Sequence, residues 1–300
     1  KNTHMTRGQK TLLLMTVPSI LFIIVFSYLP ISGWIYSFFD YRIGYKLSTC
    51  EFVGLDNFRY VFGDPYILKV IGNTLIISLA GLLGLPLAGM IAILLSEVRG
   101  RMFKKTVQTA ITIPNFISWI IIYSIMFSLF SNDGLLTTVI RGITGETEAT
   151  TTLLTNPNTA KLFMILTNIW KTVGYNSIIF FAAITGIDSQ LYDAAAVDGA
   201  GRWKKMLHIT IPGMLPTLIT LLIISIGAIL NNGFEQYYVF VNPMIQEKME
   251  VLDYYVYRIG MLNNDIPAST AVSMVKTFIS VGLVFGVNKL SKKTLGQSIL

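Results

Sequence analysis

Six stretches of this chain are long and apolar enough to cross a lipid bilayer. A helix crosses the hydrocarbon layer with about 20 mostly apolar residues. Because a bilayer core holds no water to satisfy backbone groups, such stretches fold as helices. The sequence therefore predicts an all-α integral membrane protein with six transmembrane helices in a single domain over residues 1–300. The six spans run over about residues 12–34, 68–95, 107–130, 160–185, 214–230 and 267–290.

Composition excludes several classes of protein. Of 300 residues, 53% are hydrophobic and 13% are charged, whereas about a quarter are charged in a soluble domain. A soluble enzyme is excluded on that ground. Cys50 is the single cysteine, which excludes an internal disulfide, and His4 and His208 are too far apart in sequence to suggest a metal cluster. No G-x-x-x-x-G-K-[ST] motif occurs, so if ATP drives this chain, another subunit binds the ATP.

Basic residues indicate which side of the membrane each loop occupies. Lys and Arg concentrate in the N-terminal lead, at 96–106, at 186–212 and in the C-terminal tail, where acidic residues are few. Positive charge marks the cytoplasmic side. We therefore expect both termini and the loop at 186–212 to be cytoplasmic. The net charge of +7 then reflects membrane topology rather than nucleic-acid binding.

The longest polar interruption is LYDAAAVDGAGRWKKMLHITIP, from Leu191 to Pro212. The hydroxyl of Ser189 is suited to cap a helix over Leu191 to Asp198, and Gly199 is suited to end it. The carboxylate of Asp198 is then placed to cap a second helix, which Pro212 prevents from continuing rigidly into the next span. From spacing alone, this segment is either an ordinary interhelical loop or a helix–turn–helix that contacts a partner in the aqueous phase.

The order D-A-A-x-x-D-G-A at Asp193 to Ala200, followed by Pro212 after eleven further residues, resembles the cytoplasmic loop of permease subunits in binding-protein-dependent ABC importers. That family usually has Glu at the position of Asp193 and Phe at the position of Met206. The resemblance implies that the first helix of the loop is a coupling helix, which rests in a cleft of an ATPase subunit and transmits nucleotide-driven closure. The residues that it assigns to ATPase coupling are Tyr192, Asp193, Ala194, Ala195, Asp198, Gly199 and Ala200.

Further motifs narrow the resemblance to sugar permeases. They are FVGLDNF after the first span, Asn73-Thr74, WKTVGYN in the fourth span, GFEQYYVFVNP after the fifth, and DYYVYRIG. They resemble the branch that handles complex oligosaccharides and polysaccharide fragments, and are similar to lipoprotein-dependent polysaccharide permeases and to maltose-type permeases. The resemblance implies the type I ABC importer permease fold, in the bacterial cytoplasmic membrane.

The same resemblance implies a set of partners. They are a second homologous permease subunit, two copies of an ABC ATPase, an extracellular solute-binding protein and an oligosaccharide substrate, which is acidic in one interpretation below. We expect this chain to bind no cofactor and no metal itself. ATP and Mg are expected at the partner ATPase subunits.

A sugar site is expected at the middle of the membrane, lined by the fourth and fifth spans. Sugars present apolar C–H faces and many hydroxyls, which suit aromatic walls with a few amides and carboxylates. Tyr175 falls where maltose-type permeases place a sugar-contacting tyrosine. Trp170 and Tyr237 are equally consistent with interfacial or core positions. The candidate substrate-binding residues are Trp170, Lys171, Tyr175, Asn176, Asn231, Asn232, Glu235, Tyr237 and Lys276.

Two lysines of this set lie deep in predicted spans, where a charge costs at least about 2.5 kcal/mol on insertion scales. In one interpretation, Lys171 and Lys276 pair with Glu235 or Asp265, or with backbone carbonyls freed by Gly174. In the other, they offer positive potential to a uronic-acid oligosaccharide. The sequence leaves both interpretations open.

Two other functions share part of this pattern. A permease for amino acids or phosphate has the same kind of cytoplasmic loop. A membrane-embedded enzyme is less consistent with the sequence, because no carboxylate, histidine or cysteine lies in the spans beside the two lysines to act as acid, base or nucleophile.

Overall fold

The computed structural model describes residues 6–144 and 154–295. Within these ranges the regular structure is helical, apart from one isolated antiparallel bridge between Phe39 and Phe52. The helices are α1 (Arg7–Ile23), α2 (Asp56–Gly63), α3 (Pro65–Gly81), α4 (Gly84–Glu97), α5 (Arg101–Phe116), α6 (Trp119–Phe130), α7 (Leu135–Thr144), α8 (Ala160–Thr185), α9 (Ser189–Val197), α10 (Arg202–Lys205), α11 (Ile211–Gly227), α12 (Phe234–Phe240), α13 (Gln246–Met249), α14 (Leu252–Tyr257) and α15 (Ile266–Leu295).

Helices account for every predicted span. In the described ranges, five helical stretches are long and apolar enough to cross a membrane. The predicted fourth span corresponds to α8, which has 26 residues and carries several Asn and Thr side chains. The prediction of an all-α membrane protein is confirmed. The five stretches are Thr11–Phe38, Pro65–Glu97, Trp119–Ile143, Arg202–Gly227 and Ile266–Lys293.

The second span is interrupted near its middle. The chain leaves helical geometry at Leu82 and Leu83, between α3 and α4. Pro86 has no N–H to offer the carbonyl of Leu82, and the N–H of Leu85 binds that carbonyl instead at 3.0 Å. The single proline therefore accounts for a turn in a stretch that the sequence treats as one span.

The third span, predicted over 107–130, consists of two helices. Ile117 is extended between α5 and α6. The hydroxyl of Ser118 caps α6 by accepting a hydrogen bond from the N–H of Ile121 at 3.5 Å. Pro114 stands in the last turn of α5, where it weakens the helix just before the break. The break leaves the last carbonyls of α5 without helical partners.

The chain forms two compact units. The first comprises the residues up to Pro65 together with Val256–Lys276, and the second comprises Tyr66–Tyr255 together with the residues from Thr277 onward. In the first unit, α1 runs through Pro18 and continues as a π-helical turn and a 3-10 helix as far as Phe38. The helical path thus continues through its prolines.

The FVGLDNF motif forms an elbow in the first unit. Phe52 makes the bridge to Phe39, and Gly54 follows with a φ of 58°, which a residue with a side chain seldom adopts. The amide of Asn57 donates to the carbonyls of Ser37 at 3.0 Å and Phe39 at 3.1 Å. The motif therefore combines a turn with a short helix, α2.

Small residues bring helices of the second unit into close contact. Ala88 and Ala92 of α4 are fully buried, in a cluster with side chains of α8 and α11. A Cβ atom at Gly89 would overlap Met214, and one at Gly174 would overlap the carbonyl of Ile111. The tightly packed partners of the second span are therefore α8 and α11.

Candidate functional site

A pocket of about 290 Å³ lies in the second unit, between α3, α4, α8 and the segment that follows α11. Amides and hydroxyls dominate its polar lining, and among the described residues no Asp, Glu, Lys, Arg or His belongs to that lining. Its volume is close to the lower limit for sites that hold small ligands. The polar lining residues are Ser78, Asn168, Thr172, Asn176, Ser225, Asn231, Asn232 and Tyr237.

The α8 wall of the pocket follows from helical periodicity. Asn168, Thr172 and Asn176 are four residues apart, so they share one face of the helix. They also lie near the middle of α8. Leu82, at the break between α3 and α4, lines the pocket as well. Irregular backbone at membrane depth is tolerated where it lines a cavity. The break at Leu82 and the polar face of α8 line the same pocket, so both are consistent with a cavity at this depth.

The Asn73-Thr74 pair attaches the chain beyond α12 to α3. The side-chain amide of Asn73 donates to the carbonyls of Glu247 at 3.0 Å and Glu250 at 3.1 Å. The hydroxyl of Thr74 accepts from the N–H of Leu252 at 2.9 Å. Because Asn73 and Thr74 are buried, these bonds are shielded from water and hold the segment at a fixed height along α3.

Asn232 is held in place from several directions. Its N–H donates to the carboxylate of Asp253 at 2.9 Å, and its side-chain amide donates to the carbonyl of Thr74 at 3.2 Å. The hydroxyl of Ser78 donates to the side-chain oxygen of Asn232. Asn232 therefore shapes the pocket more than it offers free hydrogen-bonding capacity.

Asn176 and Asn231 differ from Asn232 in this respect. Within the described ranges, the side-chain amides of these two residues make no hydrogen bond to the protein, while both line the pocket. Each amide group offers two donors and one acceptor with two lone pairs. The pocket therefore contains two uncommitted amides, which suit a ligand rich in hydroxyl groups.

The structure brings together four of the predicted substrate-binding residues: Asn176, Asn231, Asn232 and Tyr237 all line this pocket. Tyr237 is 2% exposed, so it is a buried wall of the pocket rather than an interfacial residue.

The other predicted residues lie elsewhere. Trp170 and Tyr175 of α8 are 42% and 46% exposed, and Glu235 is exposed at the start of α12. None of the three belongs to the pocket lining. Lys276 is half-buried in the part of α15 that belongs to the first unit. Contact between these four residues and a substrate stays a prediction.

Lys171 is buried and its ammonium group binds the broken end of α5. It donates to the carbonyls of Pro114 at 3.1 Å, Asn115 at 3.0 Å and Ile117 at 2.5 Å. It also lies 5.2 Å from the centre of the Trp119 ring. An ammonium has three protons, and these three carbonyls account for all of them. Carbonyl partners are one of the predicted alternatives, but the helix break supplies them rather than Gly174.

Sequence reasoning missed several pocket residues. Asn168 and Thr172 carry a signal that was available, because they precede Asn176 at intervals of four. Ser78 is a hydroxyl in a largely apolar stretch. Gln236 of α12 lies beside the pocket rather than in its lining, and is a buried amide whose role depends on contacts between distant segments. No local pattern identifies these last two.

The loop at 186–212 contains the helix that the sequence predicts, with a different cap. The carboxylate of Asp188 accepts from the N–H of Gln190 at 2.9 Å and caps α9, so the predicted role of Ser189 as the cap is wrong. A carboxylate one residue earlier fulfils the same requirement and also suits the positive end of the helix dipole. Gly199 has a φ of 73°, in agreement with its predicted role in ending the helix.

The second half of the loop departs from prediction. Asp198 is the C-cap of α9, and α10 begins after Gly201 without a side-chain cap, so the predicted capping role of Asp198 is wrong. At Pro212 the helical stretch does not continue as a regular α-helix: a π-helical turn at Met206–Thr210 precedes the proline, and α11 follows directly. A wider turn accommodates the backbone hydrogen bond that proline cannot make. The helical stretch is continuous over Arg202–Gly227.

The surface of this loop is exposed and partly apolar. Asp193, Ala194 and Asp198 are exposed, Val197 is 88% exposed and Trp203 is 74% exposed. Exposed large apolar side chains in an otherwise polar loop are expected where the loop contacts a partner. Tyr192 instead faces inward, where its hydroxyl lies 2.9 Å from that of Thr210. The loop is thus attached to the helix that continues as α11.

Comparison with known proteins identifies the family. The sequence model of one protein family, described as the binding-protein-dependent transport system inner membrane component, matches residues 80–292. The chain belongs to this family. Two curated relatives from Bacillus subtilis (strain 168) are Protein LplB and the polygalacturonan/rhamnogalacturonan transport system permease protein YteP. LplB is 37% identical over 96% of this chain and 90% of its own length, and YteP is 39% identical over 95% and 88%.

A solved structure agrees over nearly the whole chain. The match is to a bacterial alginate ABC transporter in complex with an alginate pentasaccharide-bound periplasmic protein, with a TM-score of 0.86, 30% identity and 98% of each chain covered. This member of the binding-protein-dependent family therefore has the type I importer permease fold. It is a multi-pass permease subunit of an ATP-driven importer that works with a solute-binding protein, and ATP hydrolysis belongs to a separate subunit. The resemblance to sugar-type permeases is confirmed.

Proposed function

We propose that this permease translocates oligosaccharides released from acidic polysaccharides, and that the amide-lined pocket holds one sugar unit during passage. The observation that carries the proposal is the pocket itself, which combines uncommitted amides at Asn176 and Asn231 with a lining free of carboxylates. Amides and hydroxyls match sugar hydroxyls, and an anionic sugar meets no like charge on the pocket wall.

The relatives support the same class of cargo. YteP is described as a polygalacturonan/rhamnogalacturonan permease, and the solved transporter is described as importing the acidic polysaccharide alginate. Because three carbonyls account for the protons of Lys171, the proposal assigns cargo recognition to neutral amides rather than to that lysine.

The assembly that we propose contains a second homologous permease and two copies of an ABC ATPase, which bind ATP and Mg. The α9 loop is the proposed docking surface for the ATPase, since Val197 and Trp203 expose apolar side chains there. Asp193 would face a basic residue of the ATPase, and the turn at Gly199 would let α9 protrude. This assignment places both termini in the cytoplasm, as the distribution of Lys and Arg predicts.

Uptake into proteoliposomes that contain the assembled importer and its binding protein tests the cargo. We expect uptake of oligogalacturonides or alginate oligosaccharides, and not of malto-oligosaccharides, glutamine or phosphate. Asn176→Ala and Asn231→Ala should each raise KM about fivefold to tenfold, the effect of one lost hydrogen bond.

Thr220→Ala on α11 is a matched control, because its hydroxyl is exposed and binds the carbonyl of Pro216 in the same helix. Unchanged kinetics in both asparagine variants would exclude this pocket as the sugar site. Selective uptake of a neutral oligosaccharide, an amino acid or phosphate would exclude the proposed cargo.

A further inference from the structure

Gln236 is a buried amide beside the pocket. It is 2% exposed on α12, and its side-chain nitrogen donates to the carbonyl of Met164 at 3.0 Å. Its side-chain oxygen accepts from the side-chain nitrogen of Asn168 at 3.2 Å. Asn168 lines the pocket, whereas Gln236 does not. The two amides therefore form a chain that runs from a backbone carbonyl of α8 to the pocket wall.

This chain has a defined direction. A backbone carbonyl only accepts hydrogen bonds, so the group of Gln236 that faces Met164 must be the NH₂ donor. The oxygen of Gln236 then faces Asn168, which must supply its own NH₂ group in return. Turning either amide over would place two acceptors or two donors against one another. The backbone of α8 thus fixes the orientation of both side chains.

The consequence falls on the pocket. One proton of the Asn168 NH₂ group is committed to Gln236, and this bond fixes the orientation of the amide. The side-chain oxygen of Asn168, for which the described ranges supply no partner, is therefore an acceptor at a fixed place. Asn176 and Asn231 have no such constraint within the described ranges, so either amide can turn to suit a ligand donor or acceptor. The pocket therefore combines two adaptable amides with one amide of fixed orientation.

We infer that Gln236 is a positioning residue that fixes Asn168 as an acceptor, and that Asn168 thereby selects for a sugar hydroxyl at its place in the pocket. The inference rests on the proposed function, because it assumes that a sugar occupies the pocket. A carboxylate or an ether oxygen brings only acceptors, so it would be disfavoured against Asn168 and directed toward the adaptable amides.

The test compares an oligogalacturonide trisaccharide with a set of derivatives in which one hydroxyl each is replaced by a methoxy group. A methoxy group accepts but cannot donate. In the wild-type importer, the derivative methylated at the selected hydroxyl should show kcat/KM lowered about fivefold to tenfold, the value of one hydrogen bond. If no derivative is discriminated, the inference is wrong.

Gln236→Leu removes the constraint on Asn168. The freed amide can turn its NH₂ group toward the methoxy oxygen. The ratio of kcat/KM between the unmodified trisaccharide and the methylated derivative should therefore fall to about twofold or less. Gln236→Glu is the conservative control, because a buried protonated carboxyl donates to Met164 and accepts from Asn168 and should restore the wild-type ratio. A merely structural role for Gln236 would change uptake of both sugars equally and leave their ratio intact.

Asn168→Leu provides a second route if Gln236→Leu does not assemble. It deletes the acceptor while Gln236 keeps its bond to Met164, and it should abolish discrimination. Persistent discrimination in either leucine variant overturns the inference. The failure of the proposed function has a different result, since Asn176→Ala and Asn231→Ala would then leave uptake unchanged.

Discussion

The ammonium group of Lys171 donates a hydrogen bond of 2.5 Å to the carbonyl of Ile117, at the residue where the third span is interrupted. Two further carbonyls of α5 bind the same group. A buried charge on α8 thus satisfies the end of a neighbouring helix, which would otherwise present acceptors to an apolar environment. The same hydrogen bonds therefore reduce two costs at once, that of burying the charge and that of leaving the helix end without donors.

The first prediction concerns this contact. Lys171→Met removes the donor that binds the carbonyls of Pro114, Asn115 and Ile117. The carbonyl of Pro114 keeps a bond from the N–H of Ile117, and each acceptor left unsatisfied costs about 1–3 kcal/mol when it is buried. We expect a lower melting temperature of the purified complex and an equal proportional loss of uptake for acidic and neutral oligosaccharides. Lys105→Met, at an exposed position of α5, is the control and should change neither. A loss confined to acidic oligosaccharides would assign the ammonium to the cargo.

The second prediction concerns the turn after α9. Gly199 has a φ of 73°, where a β-branched residue is strained by about 1–2 kcal/mol. Gly199→Val should uncouple hydrolysis from uptake, because the displaced α9 would no longer meet the ATPase in the proposed way. Gly201→Ala is the control, since Gly201 has a φ of −70° and open space around it. Normal ratios of transport to ATP hydrolysis in Gly199→Val would show that this turn does not position the docking surface.

The third prediction tests the contact between α5 and α8. A Cβ atom at Gly174 would overlap the backbone carbonyl of Ile111, and backbone cannot move aside as a flexible side chain does. Gly174→Ala should therefore separate the helices and lower the yield of assembled complex severely. Gly72→Ala makes the same chemical change in α3, where no atom lies within 4 Å, and should be tolerated. Size-exclusion chromatography of the two variants measures the difference, and equal yields would contradict the contact.

The fourth prediction concerns pH. Lys69 donates a hydrogen bond to Glu247, and this bond together with the lysine charge lowers the pKa of the carboxyl group. A lowered pKa contributes stability above the ordinary value of about 4.3, and that stability is lost as the pH falls through the lowered pKa. Both groups are exposed, so the effect is small and weakens with salt.

Glu247→Gln should therefore lower the melting temperature slightly at neutral pH, and the difference from the wild type should shrink as the pH falls below about 4.3 and through the lowered pKa of the folded state. Melting curves of the wild type and the variant over this range measure the effect, and Glu51→Gln, at an exposed position of the first unit, is the control. A difference between wild type and variant that does not depend on pH would contradict the ion pair.

The parts of the structure that the sequence predicts are those that local chemistry determines. Apolar runs of sufficient length define the spans, and Gly199 marks the end of α9 because few other residues adopt its φ. The loop at 186–212 was also predictable from local sequence, because it is the longest polar interruption between the apolar runs. Its cap was misplaced by one residue because Asp188 and Ser189 are both good caps, and only the backbone geometry separates them.

The parts that were not predicted depend on contacts between distant segments. Pro212 predicts that the helix does not continue rigidly, but it does not predict that the irregularity is a π-helical turn before the proline. The partners of Lys171 exist only because Ser118 begins a new helix 53 positions earlier in the chain. Likewise, the pocket requires Asn232 to be brought against Thr74 and Ser78, which no periodicity indicates.

The helix that leads away from Thr210 would act mechanically as a lever, because the hydroxyl of Tyr192 ties the loop to Thr210. The 17 residues of α11 extend about 26 Å at 1.5 Å per residue. A tilt of about 5° at Thr210 would therefore displace the opposite end by about 2 Å, which is enough to break a hydrogen bond. Ser225 and Asn231 lie at or just beyond that opposite end. A small rocking of the loop is thus enough to exchange the hydrogen-bond partners offered to a sugar, without any rearrangement inside the helix.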